Sequence, residues 1–136
     1  MMKRIWRNSL VKDQKGQSLL EFAIVIPLLL LLVIGIFDFG RVMYTYMQVN
    51  ITTQEAARLG GLGNDDETIE QHAKNNLHLG NPEKLIVKTN PSYDERGPGD
   101  YMTVQLEYPV NFITPFMNNI LNSPHIVHAD STIRVE

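Results

Sequence analysis

Residues 16–41 read GQSLLEFAIVIPLLLLLVIGIFDFGR, and no other stretch limits the fold of this chain as strongly. Across residues 22–37 no side chain is charged and nearly every one is large and apolar. With residues 18–20 added, the segment approaches the ~20 residues that an α-helix needs to cross ~30 Å of hydrocarbon. The run therefore predicts a membrane span over about 18–37. One charge, Glu21, lies near its N-terminal end. Insertion scales put an acidic residue at mid-bilayer near ~3 kcal/mol. Such a carboxylate either stays hydrated at the interface or has a cationic partner at its own depth.

Lys3, Arg4, Arg7, Lys12 and Lys15 precede the run against Asp13 alone, whereas acidic residues outnumber basic ones after it. Lys and Arg beside a span stay on the cytoplasmic side, so residues 1–16 read as a basic cytoplasmic leader and the C-terminal part as extracytoplasmic. The adjoining apolar run explains this cluster better than nucleic-acid binding does. Ile5, Trp6, Leu10 and Val11 give the leader at most a short interfacial helix. An ordinary secretory signal fits poorly. The apolar run exceeds the roughly 7–15 residues of a signal core, and no small-residue cleavage site follows Phe37. In 136 residues there is room for one small domain beyond the span. There is no cysteine, which removes thiol catalysis, Cys zinc sites and disulfide support. The domain must rely on its own core, on docking to its helix, or on oligomerisation.

The helical pattern continues past the span. Val42, Tyr46, Val49, Thr53 and Ala56 recur at alternating four- and three-residue spacing. A helix over 17–59 would be ~60 Å long, twice the hydrocarbon thickness, so half of it would project. The stripe packs either on the chain's own C-terminal domain or on related helices in an assembly. Pro27, Gly35 and Gly40 join Val42, Tyr46, Val49 and Ala56 as helix-packing positions. Pro27 either kinks the helix mildly or marks a place where it melts locally.

Gly60, Gly61, Gly63 and Asn64 stop the long helix. Asp65 or Asp66 caps a second helix reaching about Leu79, with Ile69, Ala73, Leu77 and Leu79 on its apolar face and Gly80-Asn81-Pro82 ending it. Residues 85–89 read as a strand and 90–100 as an exposed turn-rich loop. Residues 101–110 are the clearest strand: Met102, Val104, Leu106, Tyr108 and Val110 alternate with polar partners, and Pro109 suggests a strand end or an edge. Residues 111–122 form a short helix or apolar loop around Pro115, and 126–135 a last strand with Val127, Ala129, Ile133 and Val135 on one side. The expected fold is α+β. The long helix (17–60, with an amphipathic extension over 38–60) precedes a small head (61–136) with a three-stranded, mostly antiparallel sheet and a packed helix.

No catalytic constellation emerges. His125-x-x-His128 falls in a strand, where the two rings point to opposite faces, and His72 and His78 lack helical ligand spacing. Asp94, Glu95 and Asp100 lack the regular ligand spacing of a calcium loop and read as a solvated acidic loop. Gly60, Gly61 and Gly63 neither follow a strand nor precede a lysine, so they cradle no phosphate. The expectation is a non-enzymatic protein without cofactor, metal, nucleic acid or small-molecule substrate.

A cation for Glu21 would arise if the chain were cut after Gly16, because Gln17 would then carry a free amine. The amine of one subunit against Glu21 of the next would neutralise both and fix their axial stagger. The leader ending in Gly16, then Gln17-Ser18-Leu19-Leu20-Glu21 and an apolar helix, resembles the type IV prepilin motif. The longer run, with QEAARLG downstream, resembles TadE-like proteins, the pseudopilins of tight-adherence (Flp-type) pilus systems. The resemblance covers about the first 60 residues. It implies cleavage by a prepilin peptidase between Gly16 and Gln17, Glu21 as the assembly carboxylate, and other pilins and Tad-type assembly proteins as partners. The implied location is the cell membrane, single-pass, with incorporation into a pilus. Gln17 departs from the aromatic first residue frequent in major type IV pilins. Two rivals stand beside it: an uncleaved single-pass anchor carrying a binding domain, which would need neither Gly16 nor Glu21, and a membrane-tethered enzyme, which would need a polar pocket in the head.

Overall fold

The computed structural model describes the backbone of residues 2–136 and the side chains of residues 14–136. The interfacial role read for Ile5, Trp6, Leu10 and Val11 lies outside the described residues. Helix α1 runs Met2–Gly61 and includes Pro27. It thus starts well before Gln17, where the sequence reading began it. Lys, Gln, Arg and Leu are good helix formers, and a lone Gly16 lowers helix stability without ending the helix. The chain forms two compact units, one ending at Phe37 and the other Asp38–Glu136.

In the second unit, α1 is followed by α2 (Asp66–Asn76), β1 (Ile86–Asn90), β2 (Tyr101–Val110), the single-turn α3 (Met117–Ile120) and β3 (His125–Arg134). The strands form an antiparallel meander in the order β1-β2-β3. The α+β expectation holds, and β2 begins and ends where its alternation does. Met102, Val104, Leu106, Tyr108 and Val110 are all buried on one face. In register with Leu106 stand Val87 on β1 and Ala129 on β3. Pro109 lies in the central strand, yet the β1 ladder stops at Ile86↔Glu107, so β2 has only one neighbour there. The missing N–H of proline is tolerated where one side of the strand is open.

The 38–61 stretch of α1 supplies the other side of the core. Val49, Ala56 and Ala57 are buried there with Ile69 and Ala73 of α2 and the inner face of β2. Of the predicted stripe, Val49, Thr53 and Ala56 are buried and Val42 packs against the core from a half-buried position. Tyr46 is exposed, whereas Thr45 and Thr52 are buried. The buried face is thus rotated slightly from the one that apolar spacing suggests. Hydroxyl groups bonded to their own helix make this cheap: Thr45 Oγ1 donates to the Arg41 carbonyl at 2.9 Å and Thr53 Oγ1 to Val49 at 2.6 Å.

Asp65 is the N-cap of α2, accepting from the Thr68 N–H at 3.0 Å. Helix α2 ends at Asn76, short of the expected Leu79. Leu77 leaves the helix in extended conformation and is buried in the core, so its apolar side chain served packing rather than helical periodicity. The 91–100 loop is held by Arg96, whose side chain is only 2 % exposed. Its guanidinium meets Asp66 at 2.6 Å and donates to the carbonyls of Pro91 at 3.1 Å and Asn64 at 2.9 Å. A loop expected to be merely solvated therefore has a buried cationic anchor. Asp66 titrates below the ordinary carboxylate range: burial opposes ionisation, but Arg96 and the Tyr93 N–H outweigh it.

At Gly60 α1 passes close against the sheet. A Cβ placed there would stand 2.4 Å from Sδ and Cε of Met102, which is fully buried. Gly40 has nothing within 4 Å of the same position. An alanine gains up to ~1 kcal/mol of helix propensity at either site, but overpacking a filled core costs about 1–3 kcal/mol. Gly40→Ala is therefore expected to stabilise the head and Gly60→Ala to destabilise it. Urea unfolding in detergent checks this through the near-ultraviolet tyrosine signal, because all five tyrosines lie in the second unit.

Candidate assembly site

Helix propensity and an unbroken apolar run form the N-terminal segment of α1, and no tertiary contact is needed to explain it. Helix Gln14–Gly61 is long and apolar enough to cross a membrane, and its most apolar window is wholly uncovered. Leu19, Phe22, Ile24, Leu28 and Leu32 are all exposed. In water such a surface would be strongly unfavourable, at ~25 cal/mol for each Å². Lipid or neighbouring helices are the environments in which it is stable.

Gly16 and Gln17 lie inside this helix, and a Cβ on Gly16 would meet nothing within 4 Å. Glu21 stands one turn beyond Gln17 on the same face, and the Gln17 amide donates to Glu21 Oε1 at 3.5 Å. This bond is long and exposed, and it leaves the carboxylate without a cation within the described residues. Ser18 Oγ donates to the Gln14 carbonyl at 3.0 Å, satisfying its hydroxyl in the helix. Pro27 leaves the Ala23 carbonyl without its helical donor, yet helix is assigned on both sides of it. Gly35 and Gly40 both have open space where a Cβ would stand. Val42, Val49 and Ala56 face the head core to differing degrees, while Tyr46 is exposed. The named packing positions therefore divide: Val49 and Ala56 serve the chain's own core, and Pro27, Gly40 and Tyr46 remain available to other surfaces.

A residue that apolar spacing passed over organises the start of the second unit. Asp38 is 3 % exposed. Its carboxylate accepts from the Ile113 N–H at 3.0 Å, from the Thr114 N–H at 2.6 Å and from the Thr114 hydroxyl. Arg41 lies one turn later, 3.5 Å from Asp38, and donates to the Asn111 carbonyl at 3.2 Å. Together they clamp the loop after β2 to α1. The sequence offered one hint, the acid and base at i, i+3 directly after the apolar run. Their loop partners lie 70 to 76 residues away and left no local signal.

Burial acts to raise the Asp38 pKa, but the Thr114 hydroxyl, the N–H groups of Ile113 and Thr114 and the charge of Arg41 hold it below the ordinary value of 3.8. The clamp therefore contributes stability above pH 3.8 and loses it as pH falls through the lower, folded-state pKa. An amide at this position would point a donor at donors, a mismatch costing about 1–3 kcal/mol. Asp38→Asn should be less stable than the unmodified chain by that amount near pH 7. The gap should close as acid protonates Asp38, which paired urea titrations at neutral and acid pH would measure.

The predicted absence of metal chemistry concerns His72, His78, His125, His128, Asp94, Glu95 and Asp100. Among the described residues no three His, Cys, Asp or Glu side chains stand where they could hold an ion. His125 and His128 lie at alternate-parity positions of β3. The His125 ring packs near Phe112, with centroids 6.1 Å apart.

The model of the TadE-like protein family matches residues 16–58. The match opens on Gly16, includes Glu21, Asp38 and Arg41, and stops just before Gly60, so the α2 and sheet region lies outside it. No curated protein and no solved structure matches the chain.

Proposed function

We propose that this chain is a non-enzymatic pseudopilin of a Tad/Flp-type pilus assembly system, anchored by α1 as a single membrane span and cut after Gly16 by a prepilin peptidase. One observation carries the reading. Gly16, Gln17 and Glu21 stand in that order at the head of an uncovered apolar helix, in the segment that matches the TadE-like family. Glycine is a poor helix former, costing ~1 kcal/mol relative to alanine, so the helix is easiest to unwind at the bond to be cut. The cut removes the basic leader, whose charges otherwise hold the N-terminus in the cytoplasm. It also creates an α-amine at Gln17.

That amine and the Glu21 carboxylate are opposite charges one helical turn apart. Within one chain they can meet across one turn of the helix, but that pairing sets no stagger between subunits. Between two parallel helices staggered by about one turn, ~5.4 Å, the amine of one subunit meets Glu21 of its neighbour. In hydrocarbon each unpaired charge costs about 2.5–3.5 kcal/mol, so the pair favours that stagger over others. The exposed apolar surface of residues 19–37 then packs on other pilin or pseudopilin helices. The head, with its own core built on α1, faces the extracytoplasmic side.

Glu21→Ala separates this reading from a simple anchor. The variant is expected to be processed, inserted and folded like the unmodified chain, but to lose co-purification with pilin partners by at least about tenfold, since an uncompensated amine remains in the bilayer. Unchanged pilus number and unchanged co-purification would remove Glu21 from the account.

A further inference from the structure

We infer that residues 111–124, the connection between β2 and β3, form a lipid-binding loop that lies in the membrane interface beside the end of the span. This rests on the membrane-spanning reading of α1 and is independent of cleavage and of pilus assembly. Four observations carry it. First, the loop has no Asp, Glu, Lys or Arg in a head that is otherwise rich in charge. Second, its large apolar side chains point outward: Ile113 is 62 % exposed, Phe116 72 % and Ile120 75 %. Single exposed apolar residues are ordinary, but several on one short loop mark an interaction surface.

Third, Phe116 has φ 69°, the left-handed region that a bulky side chain rarely adopts. The backbone is held there while the ring is presented to the surroundings, and strain of this kind persists where a surface has a use for it. Fourth, the clamp sets the depth of the loop. Asp38 holds the N–H groups of Ile113 and Thr114, and Arg41 holds the Asn111 carbonyl. Asp38 is the residue next to Phe37, where the apolar run ends. With the chain leaving hydrocarbon at the end of the apolar run, the start of this loop is hydrogen-bonded to the first residue outside it.

The occupant that fits is the lipid interface itself. Aromatic and apolar side chains concentrate at that level of membrane proteins, and Phe39, exposed on α1, lies between the two clamp residues Asp38 and Arg41. The loop's asparagines, Asn118, Asn119 and Asn122, supply neutral polar groups suited to the headgroup layer.

The absence of cysteine makes the test clean. Single-cysteine variants Leu29→Cys, Ile113→Cys, Ile120→Cys and Asp94→Cys of the full chain are labelled with a polarity-sensitive fluorophore. They are reconstituted in phosphatidylcholine–phosphatidylglycerol vesicles, with and without nitroxide-labelled phosphatidylcholine. Labels at 113 and 120 should emit blue-shifted and be quenched by the lipid nitroxide at every protein-to-lipid ratio, as the label at 29 is, while the label at 94 reports water. A quenched label at 29 with water-like signals at both 113 and 120 would overturn the loop assignment alone. Shielding at 113 and 120 that vanishes on dilution into excess lipid would overturn it in favour of a neighbouring subunit. A water-like label at 29 would overturn the spanning reading and this inference together.

Discussion

The surface character of α1 changes between Phe37 and Asp38. Over residues 22–37 the side chains of α1 are uncharged, mostly large and apolar, and largely uncovered, a surface suited to lipid or to other helices. After them, one face of the same helix is buried under a sheet. The Asp38 carboxylate is the first expression of that change. An ionised group taking three protein hydrogen bonds and an arginine stands one residue from a run in which a charge would cost several kcal/mol. The adjacent clamp gives the head a fixed attachment to its helix without a disulfide.

The same economy governs the head. A three-stranded sheet with one apolar face needs a second layer to cover that face. It obtains its second layer from the extension of α1 and from α2, through small residues that permit close approach. Ala56, Ala57, Gly60 and Gly61 line that contact, and Met102 fills the space that a larger residue at 60 would need. Arg96 and Asp66 then tie the far loop to the junction between the two helices. Two polar anchors, Asp38 and Arg96, tie loops of the domain to its helices in a chain that has no cysteine. Their buried charges are paired and hydrogen-bonded, which is the condition under which burial is tolerated.

Much of this was legible in local sequence. The alternation of residues 101–110 defined β2 to the residue, the Asp65-Asp66 pair announced α2, of which Asp65 is the cap, and the glycines after Leu59 ended α1. What was not legible depended on contacts distant in sequence or on side chains whose polarity misleads. Leu77 kept helical spacing yet leaves the helix to fill the core. Thr45 and Thr52 read as polar but are buried, and Tyr46 read as apolar but is exposed. Asp38 and Arg96 gave little sign of their roles because their partners are brought together only by the fold. Gly16, Gln17 and Glu21 are the reverse case. Their order along the sequence is informative, whereas the partner proposed for Glu21 belongs to another molecule.

In the proposed pathway the mature chain begins at Gln17. Mass spectrometry of the membrane-extracted protein, from cells with and without the prepilin peptidase, tests it most directly. The account predicts a chain starting at Gln17 when the peptidase is present and an unprocessed chain when it is absent. An intact leader in cells that hold the active peptidase would contradict the account and leave α1 a permanent anchor for the head.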